Sequence, residues 1–105
     1  MTDIELLGLA AKAMGESHLS PYNPEWLKSD EAWNPLADDG DALRLAVKLE
    51  LIIEIAGHAA YAECSKDRKA ANGKSHTSTV SMQDSHSATR RAIVRVAAEI
   101  GKDMP

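Results

Sequence analysis

A single α+β domain, with a small antiparallel sheet of about three strands packed with three helices, is the fold class the sequence predicts. Three observations carry the prediction. Apolar residues recur at helical spacing over 4–14, 42–49 and 88–100, and the pattern between the last two blocks shortens toward the alternation of strands. The chain of 105 residues is 44% hydrophobic, which suffices for one core of ordinary size spanning residues 1–105. That core lacks Phe and falls to Leu, Ile, Val, Met and many Ala, so it is expected to be thin.

The first helix opens on Thr2-Asp3-Ile4-Glu5, a capping box in which Thr2 accepts from the Glu5 amide and Glu5 reaches back. Ile4, Leu7, Ala11 and Met14 form its apolar stripe, widened by Leu6, Ala10 and Ala13, and Gly15 stops it. Residues 16–37 read as an irregular loop, because Pro21, Pro24 and Pro35 break any period. Trp26, Leu27, Trp33 and Leu36 anchor that loop against the body.

Asp38-Asp39-Gly40-Asp41 begins the second helix, its acids complementing the helix dipole and one of them capping the open amides. Leu43, Ala46 and Val47, with Ala42, Leu45 and Leu49 beside them, give a broad apolar face; Arg44 and Lys48 point to water. Leu51–Ala56 and Ala59–Cys64 around Gly57-His58 read as a hairpin. Residues 65–75 are a polar loop. His76–Met82 alternates as a third, polar strand at a sheet edge. Ser85 or Ser87 caps the third helix, expected over about Ala88–Ile100 and ending at Gly101. Ile93, Val96, Ala97 and Ile100 are its buried stripe, with Arg91, Arg95 and Glu99 on the wet side and Arg95–Glu99 spaced as a surface ion pair.

The segment from Trp33 through Asn34-Pro35-Leu36-Ala37-Asp38-Asp39-Gly40-Asp41 to Leu49 resembles the hallmark of small bacteriophage and prophage proteins with a phage ABA sandwich domain. Ala88-Thr89-Arg90-Arg91 through Gly101 is similar to the closing helix of that family, and the opening Thr2-Asp3 and Glu5-Leu6-Leu7 also fits. The resemblance covers both ends and about half the chain. It implies a phage or prophage origin and a sheet packed with helices, and it implies no activity. Ala37 stands where the family tends to have Thr, Glu50 where a small residue is expected, and residues 51–87 depart in detail.

Function is constrained mainly by what is missing. No start of basic residues followed by an apolar run marks a secretory signal, no apolar run spans a bilayer, and the lone Cys64 forms no internal disulfide. A reducing bacterial cytoplasm is expected. Asp38–Asp41 lacks the further oxygen ligands of a calcium loop, so helix capping accounts for it. His18, His58, His76 and His86 include no pair at the helical i, i+4 spacing of zinc sites. No phosphate-cradling glycine loop or Gly-x-Ser-x-Gly elbow occurs. A cluster of His76, His86 and Cys64 is the remaining catalytic arrangement, set against a buried, inert Cys64. No catalytic, cofactor or metal residue is assigned, and the chain is expected not to be an enzyme.

Charge divides unevenly. Residues 1–50 hold ten acids against four bases, and residues 51–105 hold six acids against eight bases. Such a dipolar surface steers partners. The expected function is a non-enzymatic module binding a host or phage protein, in its sharpest form an inhibitor of a host defence complex such as an anti-CRISPR protein. Lys66, Arg68, Lys69 and Lys74 in the polar loop, Arg91 and Arg95 on the third helix, and Trp26 and Trp33 if exposed are the candidate contacts. The alternative is a nucleic-acid-binding accessory protein using the basic face of the third helix, against which the pI of about 5.5 weighs. The edge strand and Ala-rich helices also suit a homodimer.

Overall fold

The computed structural model describes residues 2–15, 33–64 and 76–104. Its elements are α1 (Asp3–Met14), α2 (Asp39–Lys48), β1 (Leu51–Ala56), β2 (Ala59–Cys64), β3 (Thr77–Ser81) and α3 (Ser85–Asp103). The strands form an antiparallel sheet in the order β1-β2-β3, which gives the α+β fold the patterning predicts. Among the described residues, no helix is long and apolar enough to cross a membrane.

Local chemistry sets most boundaries. Thr2 Oγ1 accepts from the Glu5 amide at 3.2 Å and donates to Glu5 Oε1 at 3.1 Å, so the Glu5 carboxylate binds the capping hydroxyl itself. Gly15 closes α1 in the left-handed region at φ 76°. Asp38 caps α2, its carboxylate accepting from the Asp41 amide at 2.8 Å. Asp41 in turn accepts from the Asn34 amide at 2.9 Å, which ties the Trp33–Ala37 turn onto the helix. Gly57, at φ 59°, occupies the first position of the two-residue hairpin turn, as a type II′ turn requires.

Two expectations about α3 are corrected. Its cap is Asp84, not Ser85 or Ser87, because a carboxylate accepts from both the amide (3.0 Å) and the hydroxyl (2.7 Å) of Ser87. The helix also continues through Gly101 to Asp103. Gly101 is there for packing: a methyl group at that position would overlap the Leu9 carbonyl oxygen and come within 2.8 Å of its carbon.

α3 is the centre of the molecule. Ala88, Ala92 and Val96 meet Ala60, Ala62, Cys64 and Val80 of the sheet. Ile93, Val94, Ala97 and Ala98 meet α1 and α2 through Leu6, Leu7, Ala10, Leu45 and Leu49, and Trp33 closes that cluster. Asp3 pairs with Arg91, Leu9 abuts Gly101, and Lys12 donates to the Met104 carbonyl, so α1 and α3 run parallel. Ile4, Leu43 and Val47, expected in the buried stripes, are exposed instead. Each stripe is wider than the surface that the other described elements bring against it.

Candidate functional site

The β2 backbone determines what the sheet offers on each side. Cys64 N–H donates to the His76 carbonyl at 3.1 Å and Met82 N–H to the His58 carbonyl at 2.9 Å. Antiparallel ladders alternate, so Ser78 and Val80 also turn their backbone groups to β2. Thr77, Thr79 and Ser81 then direct N–H and C=O away from the sheet, along an edge that no other described strand covers.

Beside that edge lies a cleft of about 520 Å³ between β3 and α3, walled by His76, Thr77, Thr79, Arg91, Arg95 and Glu99, with Leu6 of α1 at its floor. Arg91 is held by Asp3 at 3.0 Å and so fastens α1 to α3. Arg95 and Glu99, one helical turn apart, form no ion pair with each other or with any other described residue, contrary to the expectation of a surface pair. His76 Nε2 lies 2.7 Å from Asp103 Oδ2 and clasps the end of β3 to the end of α3.

The candidate contacts therefore part company. Arg91 and Arg95 are brought together with β3. Lys66, Arg68, Lys69, Lys74 and Trp26 lie outside the described residues, as does the body of the 16–37 loop. Trp33 is only 6% exposed and leaves the set of surface contacts; its indole N–H has no acceptor among the described residues. Sequence patterning gives Arg90 only as part of the basic face of the third helix, with Arg91, Arg95 and Lys102, and not as a link to α2. Its guanidinium donates to the Leu36 carbonyl at 2.9 Å, to Asp39 at 2.5 Å and to the Ser87 hydroxyl at 3.1 Å, joining α2 to α3. An Arg in the second turn of a helix looks like any surface base until the Leu36 turn is placed over it.

The other polar groups singled out in the sequence are dispersed among the described residues. The Cys64 thiol is buried and directed at the Leu49 carbonyl, 3.8 Å away. His86 is exposed near Asp84, at the opposite end of α3 from the His76–Asp103 clasp. Seventeen residues of helix, about 25 Å, separate the two ends, so Cys64, His76 and His86 do not form the nucleophile–base cluster considered above. His58 Nδ1 lies 2.9 Å from the Gln83 carbonyl and supports the hairpin turn. Among the described residues, no three His, Cys, Asp or Glu side chains are grouped to hold a metal ion.

With Arg90 and Arg91 engaged by Asp39 and Asp3, the basic face expected of the third helix shrinks to Arg95 and Lys102. Comparison of the chain with family models, with curated proteins and with solved structures finds no match.

Proposed function

We propose that the chain is a protein-binding module, without catalysis of its own, that captures an extended segment of its partner along β3. The observation that carries this reading is the pairing of a free strand edge with a charged cleft. Thr77, Thr79 and Ser81 offer a row of main-chain groups, and Arg95 and Glu99 beside them have no ion-pair partner among the described residues. A strand added to an edge gains main-chain hydrogen bonds, and neighbouring side chains supply specificity. Arg95 and Glu99 are about 6 Å apart along the helix, close to the 6.8 Å or so between alternate residues of a strand. The segment that fits carries an acid and a base two positions apart.

The resemblance to phage ABA sandwich proteins supports a phage or prophage origin, and with it a host or phage protein as partner. Inhibition of a host defence complex, as by an anti-CRISPR protein, is the most specific form of the proposal. A nucleic-acid partner is the less supported reading, because two of the helix's arginines are already neutralised by carboxylates.

Thr79→Pro tests the edge directly. The Thr79 amide points off the sheet, so proline there leaves the β2–β3 ladder intact while blocking a fourth strand. Wild type should capture a defined partner from host lysate, and Thr79→Pro and Arg95→Glu should each lose it. Capture unchanged by both variants, or no specific partner, would overturn the proposal.

A further inference from the structure

The opposite edge of the sheet has another character. The even-numbered residues of β2 bond β3, so its odd residues serve β1, at Ile52, Glu54 and Ala56 in the observed register. The backbone groups of Leu51, Ile53 and Ile55 are left pointing off the sheet. The same three residues carry side chains toward the helices. There Ile55 is 59% exposed, and Leu43 and Val47 on the overhanging flank of α2 are 61% and 68% exposed. Leu43, Ile53, Ile55 and Ile93 line a mainly apolar groove of about 390 Å³, with Asp39 and Arg90 at its rim. This edge of six residues has no Lys, Pro or bulge, and its one charge, Glu54, points to the face away from the helices, so little guards it against strand pairing.

We infer that a second copy of this chain covers this edge, its β1 pairing antiparallel with the first about a two-fold axis at Ile53. The two sheets then join into one. Register and charge both select this occupant. Pairing about Ile53 makes Ile53↔Ile53 and Leu51↔Ile55 the hydrogen-bonded pairs, which uses every outward backbone group of the strand. It sets Glu54 opposite Ile52. A two-fold axis at Glu54 would oppose two carboxylates, and an axis at Ile52 would oppose Glu50 and Glu54 twice; either axis also pairs only two of the three outward-facing residues of the strand with one another.

The α2 helices add complementarity. α2 enters β1 through Leu49-Glu50 while its first turn reaches the Ile55 end of the strand, so helix and strand run antiparallel. The two-fold axis therefore brings the acidic first turn of one α2, with Asp38 and Asp39, toward the basic last turn of the other, with Lys48. Leu43 and Val47 of each copy lie between those ends. Helix dipoles in that antiparallel arrangement attract. A homodimer is the isologous assembly such a self-complementary edge makes. It leaves β3 free at the far side of the sheet.

Sedimentation equilibrium on the full chain, with site-specific oxidation, tests the assignment. At about 100 μM the wild type should be dimeric, and Ile55→Lys, a change at an exposed position, should raise the dissociation constant by at least about tenfold. Ile53→Cys should form an intermolecular disulfide in mild oxidant, because facing residues of a hydrogen-bonded pair lie about 5.5 Å apart. Ile55→Cys should not, since its two copies are offset by about 13 Å along the strands. A monomeric wild type, a dimer indifferent to Ile55→Lys, or equal cross-linking at the two positions would each overturn the inference.

Discussion

Gly101 packs its α-carbon against the backbone carbonyl of Leu9, with no room for a side chain between α1 and α3. That contact sets how closely two parallel helices approach. Gly101→Ala gains helix propensity of about 1 kcal/mol yet must push the helices apart, and overpacking of this kind costs about 1–3 kcal/mol. Urea denaturation should show net destabilisation, where propensity alone would predict a gain.

Arg90 is expected to matter for stability more than its neighbours. Its side chain is 16% exposed and satisfies the Leu36 carbonyl as well as Asp39. Arg90→Met leaves that carbonyl without its donor, and the cost should be about 1–3 kcal/mol. Lysine cannot reproduce the fork, so Arg90→Lys should recover only part of the loss. Arg95→Met, at an exposed residue, should change the denaturation midpoint little.

Asp84 gives α3 a pH-dependent cap. The Ser87 hydroxyl, and next the Ser87 amide, hold its carboxyl below the ordinary value of 3.8. A carboxylate whose pKa is lower in the folded chain adds stability above its unfolded pKa, and loses it as the pH falls through the folded value. Asp84→Ser keeps a capping oxygen without the charge. Thermal unfolding followed from neutral pH into acid should fall less steeply for that variant than for wild type.

Trp33 belongs to the core, and truncation should show it. Trp33→Ala should cost about 3–5 kcal/mol, the range for large aromatic deletions. Trp33→Phe should cost much less, because it also removes an indole N–H that has no acceptor among the described residues. Chemical denaturation monitored by circular dichroism separates the two.

Cys64 should be protected in the native state. With Cys64 buried beneath α3, reaction with a thiol-specific disulfide reagent has to await opening of the fold. The native rate should be at least about a hundredfold below that of the urea-unfolded chain, a factor drawn from the stability of core segments. A fast native reaction would show an accessible thiolate instead.

Local chemistry made much of the fold legible. Thr2, Gly15, Asp38 and the Gly57-His58 turn act through bonds within a few residues, and each marks a boundary the structure keeps. Signals that depend on distant partners read less well. Gly101 looks like a stop until Leu9 is placed over it, and Asp84 outcompetes the serines only because its carboxylate reaches two donors on Ser87. Helical periodicity marked Leu43 and Val47 as apolar without showing that no described neighbour covers them. The candidate site was legible only as a list of bases, since the difference between Arg90, Arg91 and Arg95 rests on Asp39 and Asp3, fifty or more residues away.

Alanine faces alanine where α3 lies on the sheet, with Ala88 and Ala92 above Ala60 and Ala62. Side chains this small cannot change rotamer to take up a misfit, so the height of the helix over the strands is fixed by backbone and methyl contact alone. α3 is also a shared wall, bounding the cleft beside β3 and the groove beside β1. A bulkier residue at position 92 would lift it and widen both at once. Two surfaces on opposite margins of the sheet are thereby governed by one spacing.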